Sequence, residues 1–328
     1  MSNILVTGGA GYIGSHICKE LANNGYSPVV YDNLINGHIN FVKWGPLVKG
    51  DINDTKLLKD TLNDFSIKSV IHCAALAYVR ESFEKPLEYF TNNVSGTISL
   101  LGAMKETSAR SIVISSSCSV YGIPKVLPVT EKSLVEPISI YGSTKAIMEN
   151  IVKECVKVDG FRSISLRYFN AAGADPDNEI GELHDPEPHV IPNILKAALY
   201  PTIPFSIFGR DFDTPDGSAI RDYIHVKDLA NAHIMALAYL EYYNGYKPIN
   251  LGSGKGVSIF ELVKKVEDLV ERKLDIKFEK QHIGDPPVLY SDIKLAEEVL
   301  GWRPTRSEID NILKDSMAYQ KIIIRDKI

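Results

Sequence analysis

Tyr141 and Lys145 are two residues whose types and spacing suit a proton transfer. They lie four positions apart in YGSTK, so in a helix both side chains project from one face. A free tyrosine has a pKa near ~10 and is a poor base at neutral pH, but a nearby ammonium stabilises its phenolate. Bringing that pKa to about 7 requires about 4 kcal/mol of differential stabilisation. Such pairs also arise by chance on many helices, so a second feature must decide between the two interpretations.

The second feature is a glycine-rich segment, ILVTGGAGYIGSH, in which the glycines follow an apolar run. Glycines let the backbone approach a pyrophosphate, and the N-terminus of a following helix faces its charge. Two registers fit, Gly9-x-Gly11-x-x-Gly14 and Gly8-x-x-Gly11-x-x-Gly14. A plain strand-to-helix turn is the alternative, but the context favours a dinucleotide site. The positive nicotinamide ring of a bound NAD would then be a second cation for Tyr141.

Residues at predicted strand ends extend this site. Asp32 ends the second strand, where a carboxylate accepts hydrogen bonds from ribose hydroxyls and repels a 2′-phosphate, so we predict NAD rather than NADP. Asp51 and Ile52 follow the third strand, where they could hold an adenine edge, and the small residues of CAA, 73–75, end the fourth. Ser117 ends the fifth, and its hydroxyl suits the reacting substrate oxygen. The alternatives to cofactor contacts are that Asp32 is a solvated acid and that the residues at the other strand ends only pack in the fold.

The elements that must position these residues form an α/β pattern. Apolar runs alternate with segments of helical spacing as far as Asn170, which predicts a parallel sheet with helices on both faces. The predicted strands are NILVTG, SPVVYDN, PLVKGD, KSVIHCAA, RSIVISSS and RSISLRYFN. The predicted helices are YIGSHICKELANNG, NDTKLLKDTLNDF, residues 86–106 and YGSTKAIMENIVKECVKV. We therefore predict a doubly wound parallel sheet of the Rossmann type, with residues 1–170 as an NAD-binding domain.

Residues 171–328 are predicted to form a smaller, mixed α/β C-terminal lobe for the substrate. Segment 171–192 is rich in Pro, Gly, Asp and Glu, and we expect it to be extended and at the surface. Helical patterns such as VKDLANAHIMALAYLEY and SIFELVKKVEDLVERK follow, with short strands such as PINLGSG and DIKFEK. We expect this lobe to cover the carboxyl edge of the sheet, with some of its chain returning to the first domain.

The composition argues against several other classes of protein. The 328 residues are 45% hydrophobic and 23% charged, and the formal net charge of -5 gives no general attraction to nucleic acid or an anionic membrane. No apolar run approaches the ~18 residues of a membrane span, and the N-terminus lacks a signal pattern. Four scattered cysteines without a C-x-x-C pair favour a cytoplasmic protein over a zinc or disulfide framework.

Seven segments together resemble the UDP-glucose 4-epimerase family, also called UDP-galactose 4-epimerases, in the extended branch of the short-chain dehydrogenase/reductase superfamily. The segments are TGGAGYIGSH, YDNL, SSSCSVYG, YGSTK, LRYFNAAGA, FGRDFDTPDGSAIRDYIHV and GDPP. The resemblance implies a tightly bound NAD that is reduced and reoxidised within one turnover. It implies 4-epimerisation of a UDP-sugar, foremost UDP-glucose and UDP-galactose of galactose metabolism. It also implies a homodimer built around two helices of each subunit.

The resemblance further implies roles for individual residues. Tyr141 would be the base, Lys145 its partner and a ligand of the nicotinamide ribose, and Ser117 their hydrogen-bonding support. The expected cofactor contacts are Gly8, Gly11, Tyr12, Ile13, Gly14, Asp32, Asn33, Asn36, Gly37, Asp51, Ile52, Cys73, Ala74, Ala75, Asn92, Tyr141, Lys145 and Tyr168. The expected substrate contacts are Ser117, Tyr141, Asn170, His189, Val190, Phe208, Arg221, His282 and Asp285. Phe208 would pack by the uracil and Arg221 would bind the diphosphate, with an Arg221–Asp222 ion pair as the alternative.

Three positions depart from the family pattern. Ala77 stands where the family often has a lysine that contacts the cofactor. His282 stands where an arginine is usual, and the loss of a charged hydrogen bond costs about 1.5–3 kcal/mol. Leu289 occupies a position that lines the sugar pocket in the family, and it is smaller than the aromatic residue that tends to exclude N-acetylated sugars. UDP-N-acetylhexosamines and UDP-pentoses are therefore alternative substrates.

Three other functions compete with epimerisation. A nucleotide-sugar 4,6-dehydratase shares the fold, but the related dehydratases place Asp-Glu where this chain has Cys118 and Ser119. A silent NAD sensor tends to lose the tyrosine or the lysine, whereas this chain has both. A metal hydrolase is the third, and we interpret its candidate ligands as solvated charges in a Pro-rich loop and predict no metal site. Those candidates are His184, Asp185, Glu187 and His189.

Overall fold

The computed structural model of the chain describes residues 2–281 and 285–326. Its strands are β1 (Asn3–Thr7), β2 (Ser27–Asp32), β3 (Leu47–Lys49), β4 (Ser69–His72), β5 (Ser111–Ser117), β6 (Arg162–Tyr168), β7 (Asn170–Ala172), β8 (Phe205–Phe208), β9 (Ile220–Arg221), β10 (Tyr223–His225), β11 (Tyr246–Leu251), β12 (Val257–Ser258), β13 (Ile276–Glu279) and β14 (Val288–Leu289). Its α-helices are α1 (Tyr12–Asn23), α2 (Thr55–Asp64), α3 (Val79–Glu84), α4 (Pro86–Tyr89), α5 (Gly96–Lys105), α6 (Ile140–Asp159), α7 (Val190–Leu199), α8 (Val226–Tyr239), α9 (Ile259–Val270), α10 (Lys294–Leu300) and α11 (Ile309–Asp326). None of the helices in these ranges is long and apolar enough to cross a membrane.

Seven strands form one parallel sheet in the order β11-β6-β5-β4-β1-β2-β3. The direction of winding reverses between β1 and β4, and the loops that leave these two strands diverge. Such a switch point opens a crevice at the carboxyl edge of the sheet, where ligands bind in doubly wound folds. The predicted doubly wound parallel sheet is confirmed. Strand β11 comes from the C-terminal half of the chain and extends this sheet beside β6.

Consecutive residues of β1 pack on opposite faces of the sheet because side chains alternate along a strand. Leu5 lies in one core with Leu58 of α2 and Leu100 of α5. Ile4 and Val6 lie in the other core with apolar residues of α1 and α8. Each fully buried side chain of this size stabilises the fold by roughly 1.5–3 kcal/mol. Helices on both faces therefore explain why the strands are continuous apolar runs rather than alternating ones.

The smaller sheets lie in the C-terminal half. Strand β8 pairs with β13, β9 pairs with β12 and β14, and β7 pairs with β10. Residues of β8 pack with α7, α9 and α11 in a third core. Helix α8 packs instead against α1, on the large sheet. The C-terminal half thus contributes to the core that contains α1 and α8 and forms the third core, and it brings its own short strands to the carboxyl edge.

The structure differs from the predicted elements in two places. The helix predicted over 86–106 is divided into α4, a π-helical stretch Phe90–Ser95 and α5, and the preceding α3 was not predicted. Segment 171–192 was expected at the surface, but Ala174 and Ile180 are buried against Tyr319 of α11. Polar composition was a poor guide there because Lys19 offsets the acidic charge from within the fold.

Buried histidines make the stability of this fold depend on pH. Burial lowers the pKa values of His16, His72 and His233 to about 4, 3 and 4. In the unfolded chain a histidine has a pKa near ~6.5. Between about pH 6.5 and pH 4 the unfolded chain therefore binds more protons than the folded one, and the free energy of unfolding falls as the pH falls. Each histidine contributes a slope of up to about 1.4 kcal/mol per pH unit.

We expect His233→Gln to reduce this slope by about one proton, since His233 lies fully buried in α8. Urea unfolding at several pH values across this window measures the slope for the variant and for the unaltered chain. A slope that is the same in both proteins would contradict the assignment of a neutral buried His233.

Candidate active site

A cavity of about 600 Å³ follows the carboxyl edge of the parallel sheet. The loops after β1, β2, β4 and β5 line it together with residues of β6, β7, β8 and β9. Predicted cofactor residues in its lining are Gly8, Gly11, Tyr12, Ile13, Gly14, Asp32, Asn33, Asn36, Gly37, Ile52, Cys73, Ala74, Ala75, Asn92, Tyr141, Lys145 and Tyr168. Predicted substrate residues in its lining are Ser117, Asn170, His189, Val190, Phe208, Arg221 and Asp285, with Tyr141 shared. Residues distant in the sequence thus face one space.

The glycine loop packs directly on neighbouring backbone. Gly8 has a φ of +71°, and a Cβ there would lie 2.7 Å from the Ala74 nitrogen. A Cβ on Gly14 would lie 2.1 Å from the carbonyl oxygen of Gly8. Gly9 instead packs against β1 and β2 and is not part of the cavity lining. The geometry therefore favours the second of the two predicted registers, Gly8-x-x-Gly11-x-x-Gly14.

The start of α1 offers a site for a phosphate anion. Gly11 is its N-cap, no described side chain caps it, and its first turn carries no acidic residue. The free N–H groups of such a terminus attract anions. Beside it, the Asp32 carboxylate accepts hydrogen bonds from the backbone nitrogens of Ala10 at 3.0 Å and Leu34 at 2.8 Å. A carboxylate fixed in this way suits ribose hydroxyls, so the residues present fit NAD.

The start of α6 positions Tyr141 and Lys145. Ser139 is the N-cap, and its Oγ accepts a hydrogen bond from the Gly142 nitrogen at 3.0 Å. Tyr141 therefore lies in the first turn and Lys145 one turn later, on the same face. The Lys145 Nζ lies 5.8 Å from the centre of the Tyr141 ring. Both side chains are buried in the wall of the cavity.

Strand β5 supplies the partners of this helix face. The Lys145 Nζ donates a hydrogen bond to the carbonyl oxygen of Ser115 at 2.7 Å. Two residues on, the Ser117 Oγ accepts a hydrogen bond from the Ser119 nitrogen at 3.1 Å, which fixes its rotamer at the end of the strand. The structure therefore brings the three predicted catalytic residues, Ser117, Tyr141 and Lys145, to one place.

The protonation of these groups depends on burial. Burial raises the pKa of Tyr141 to about 12, although the neighbouring Ser117 hydroxyl partly opposes this. Burial also lowers the pKa of Lys145 to about 8, and the Cys73 thiol and Glu149 carboxylate act in the opposite direction. The protein alone therefore leaves Tyr141 a weaker base than free tyrosine. Reaching a pKa near 7 needs on the order of 7 kcal/mol, and a positive nicotinamide ring is the further cation that fits this demand.

A buried polar network holds α6 against the sheet. Glu149, one turn beyond Lys145, accepts two hydrogen bonds from the Arg167 guanidinium of β6, at 2.9 and 2.5 Å. Ser116 of β5 and Tyr246 of β11 also donate to this carboxylate, at 2.5 and 3.0 Å. The face of α6 that carries Tyr141 and Lys145 is therefore tied to three adjacent strands.

Arg221 supplies a guanidinium to the other part of the cavity. Its predicted alternative, an ion pair with Asp222, is not formed. The Asp222 carboxylate instead accepts hydrogen bonds from the backbone and hydroxyl groups of Ser253 and Ser291 and from the Gly254 nitrogen. Burial lowers the pKa of Arg221, and Asp285 opposes this shift. Because arginine stays protonated even so, a cation faces the cavity there.

Arg80 is a cavity residue that sequence analysis missed. Its guanidinium carbon lies 4.4 Å from the centre of the Phe208 ring, and Asp285 lies near enough to influence its charge. It is the second residue of α3, a helix that was also not predicted. The only signal in the sequence was a cation placed a few residues after the fourth predicted strand.

Asn170 and Asn92 line the cavity while bonded locally. The Asn170 side chain donates to the Asp222 carbonyl oxygen at 2.8 Å, which links β7 to the chain before β10. Asn92 lies in the π-helical stretch and donates to the Asn93 side chain at 3.0 Å. The buried Asn93 amide in turn bonds both backbone groups of Leu76. A π-helical turn, a feature common at functional sites, therefore connects the cofactor side to the loop after β4.

The structure places four other positions singled out in the sequence in different ways relative to the cavity. Asp51 does not line the cavity, although Gly50 and Ile52 do, and its carboxylate accepts from Asn53 and Asn33. Leu289 is not among the lining residues, but it packs with Cys118 and Phe169, which are, and its expected place beside the sugar stays a prediction. Ala77 does line the cavity. His282 lies outside the described residues.

The residues interpreted as solvated charges form a compact cluster instead. His184 and His189 lie with Glu187 and the buried Glu182, their ligand-type atoms all within 4.8 Å of one another. Asp185, the fourth residue named in the sequence, is exposed and not a member. Burial opposes protonation of His189, but the carboxylates of Glu182 and Glu187 raise its pKa to about 10. The folded chain brings Glu182 to this cluster, a contact that spacing in the Pro-rich loop did not indicate.

Comparison with known proteins agrees with this geometry. A profile of the NAD dependent epimerase/dehydratase family matches residues 4–252. The chain belongs to this family. The UDP-glucose 4-epimerase of Rhizobium meliloti (strain 1021) is 46% identical over 303 residues, which cover 92% of each chain. The predicted family and the NAD dependence are confirmed.

Solved structures resemble the chain over nearly its full length. UDP-glucose 4-epimerase from Brucella ovis in complex with NAD has a TM-score of 0.94 and 46% identity, covering 97% of this chain and 98% of that one. UDP-glucose-4-epimerase from Stenotrophomonas maltophila, with bound NAD and formylated UDP-arabinopyranose, has a TM-score of 0.96 and 35% identity, covering 99% and 100%.

We expect Gly14→Ala to abolish retention of NAD, because its new Cβ would collide with the Gly8 carbonyl and displace the loop from α1. NAD released by denaturing the purified protein, measured per chain, tests this. Gly102→Ala is the matched control, since the nearest atom to its new Cβ is 3.9 Å away within α5. Equal NAD content in the two variants would contradict the role given to the loop.

Proposed function

We propose that the chain catalyses the NAD-dependent 4-epimerisation of a UDP-sugar, foremost the interconversion of UDP-glucose and UDP-galactose in galactose metabolism. The observation that carries this proposal is the meeting of three features in one cavity: the glycine loop, the Ser117, Tyr141 and Lys145 group, and the guanidinium of Arg221. Its full-length relatives named UDP-glucose 4-epimerase support the same conclusion.

Tyr141 would move the proton of the sugar 4-hydroxyl. When bound, NAD supplies the hydride acceptor for carbon 4 and afterwards the hydride donor. Tyr141 takes the hydroxyl proton as the 4-keto sugar forms and returns a proton to the keto oxygen when the sugar is reduced from its other face. Ser117 hydrogen-bonds the reacting oxygen, and the Lys145 ammonium stabilises the phenolate. The reaction has no net redox change.

The nucleotide must stay bound while the 4-keto sugar rotates in the cavity. We assign the diphosphate to Arg221 and Asn170, the ribose to Asp285 and the uracil to Phe208. His189 and Val190 belong to the same wall of the cavity. The planar guanidinium of Arg221 suits two phosphate oxygens. Firm contacts at the nucleotide and few at the sugar would let the 4-keto sugar present either face to Tyr141.

A dehydratase is disfavoured by the residues next to Ser117. Cys118 is buried, and burial raises the pKa of its thiol to about 12, so it is a neutral packed group. Ser119 is equally unable to supply the additional acid that elimination of water requires. An epimerase needs no acid or base other than Tyr141 and its partners.

We also propose a division of the chain into an NAD-binding domain, 1–170, and a UDP-sugar lobe, 171–328. Helix α8 and strand β11 of the second part pack on the large sheet, which supports the expected return of chain to the first domain. The free cysteines, two of them buried, support a reducing, cytoplasmic setting.

The activity is tested by incubating the purified protein with UDP-galactose in the absence of added NAD and separating the products. We expect UDP-glucose to form, and Tyr141→Phe to lower kcat by roughly 10²–10⁴-fold, the range of a lost general base. Tyr242→Phe, at an exposed tyrosine, is the matched control and should keep full activity. Full activity of Tyr141→Phe with normal NAD content would show that the base is another residue.

The same assay separates the alternative substrates. UDP-N-acetylglucosamine and UDP-arabinose replace UDP-galactose in parallel reactions. A 4-keto-6-deoxy product is sought only with UDP-galactose and UDP-N-acetylglucosamine, because a pentose has no carbon 6. If either sugar is converted faster than UDP-galactose, the preferred substrate changes but the enzyme remains an epimerase. Formation of the keto-deoxy product would instead identify a dehydratase.

We propose that the chain is a homodimer whose interface is the face of helices α3 to α6. These helices pack together, and each of them exposes at least one large apolar side chain. The exposed side chains are Phe83, Leu87, Ile98, Ile147 and Val158.

We expect Leu87→Glu combined with Ile98→Glu to convert the dimer to a monomer, because buried carboxylates without partners oppose association. Sedimentation equilibrium measures the mass. Val126→Glu is the control, since Val126 is similarly exposed in a loop outside these helices. A monomeric unaltered chain at micromolar concentration would refute the proposed interface.

A further inference from the structure

The cluster of Glu182, His184, Glu187 and His189 has a geometry that hydrogen bonding alone does not explain. The His184 Nδ1 and the Glu182 Oε1 are both shielded from solvent, and neither has a partner in hydrogen-bond geometry within the described residues, although the His189 Nδ1 lies 2.6 Å from the Glu182 Oε1. These two atoms lie 3.5 Å apart. Glu182 is only 5% exposed, so a carboxylate without a well-directed donor there is costly.

The spacing of the four donors matches that of ligands around one ion. The His184 Nδ1 lies 3.4 Å from a Glu187 oxygen, and the His189 Nδ1 lies 3.3 Å from the other. Four ligands at the ~2.0–2.1 Å bond lengths of zinc, arranged as a tetrahedron, stand roughly 3.4 Å apart. The remaining contact, 2.6 Å between the His189 Nδ1 and the Glu182 Oε1, is an ion pair that coordination would lengthen.

A second acidic cluster in the same segment shows the difference. Asp175, Asp177 and Glu179 also converge, but the Lys19 ammonium lies between them at 2.8, 2.9 and 2.6 Å. That cluster therefore already holds a cation supplied by the chain. The histidine cluster has no lysine or arginine ion pair among the described residues.

We propose that Glu182, His184, Glu187 and His189 form a binding site for a divalent transition-metal ion, with zinc as the favoured metal. Two imidazole nitrogens and two carboxylates are a borderline donor set that suits zinc rather than calcium or magnesium. The site would cross-link residues 182–189, which supply part of the cavity wall. Its rings also pack on the edges of Tyr12 and Tyr78, so the ion would stiffen that wall. The site does not depend on the proposed reaction.

Metal binding by the full-length protein with its own NAD, free of any histidine tag, tests the proposal. The protein is stripped with chelator, titrated with Zn²⁺ and analysed for metal per chain. Cobalt(II) is added to a second sample, whose visible absorption reports a four-coordinate site. We expect about one ion per chain, and at least a tenfold loss of affinity in His184→Gln and in Glu182→Gln. Asp177→Asn, in the cluster that holds Lys19, is the matched control and should bind as before.

Two results would overturn the site. Uptake well below one ion per chain at micromolar zinc would mean that a protonated histidine alone neutralises the carboxylates. Uptake unaffected by both substitutions would mean adventitious metal on the surface. If a substitution prevents folding, the unaltered chain still decides, because a zinc-dependent rise in Tm together with the cobalt absorption is expected only from a specific site.

Discussion

The buried pair of Arg167 and Glu149 is the interaction on which the position of α6, and so of Tyr141 and Lys145, depends. It joins β6 to α6, and further hydrogen bonds from Ser116 and Tyr246 tie the same carboxylate to β5 and β11. Removing one partner of such a pair costs roughly 3–5 kcal/mol because the other charge remains buried. The helix that carries Tyr141 and Lys145 is therefore held in one position relative to the strand that carries Ser117.

Burial around this helix makes a cofactor with a positively charged ring necessary if Tyr141 is to act as a base. Burial raises the pKa of Tyr141 to about 12 and lowers that of Lys145 to about 8, so the protein alone disfavours the phenolate. The glycine loop lies in the same cavity, which would bring the positive charge of NAD to the place where Tyr141 requires it. Cofactor binding and base activation would in this way be linked by electrostatics.

Much of the fold could be predicted because the parallel strands are buried apolar runs that alternate with segments of helical spacing. The order of the strands up to Tyr168 was correct, and the family was recognised from segments spread over the whole chain. Helix α3 and Arg80 were missed because a six-residue helix carries too little periodicity to be detected. The packing of Leu289 against Cys118 and Phe169 was not predicted either, because those residues are distant from it in the sequence. The individual roles of the cavity residues stay predictions.

By itself, the sequence determined which chemical groups are available. These are a glycine loop of the dinucleotide-binding type, the Asp32 carboxylate at the end of the second strand, and a tyrosine with a lysine four residues later. Residue type and local spacing are sufficient for these because they lie on one turn or one helix face. Only the tertiary structure decided which glycine register faces the cavity, that Asp222 is already satisfied and leaves Arg221 for an anion, and that Glu182 joins two histidines. Each of these depends on contacts between distant segments, and the packing of the sheet edge brings those segments together.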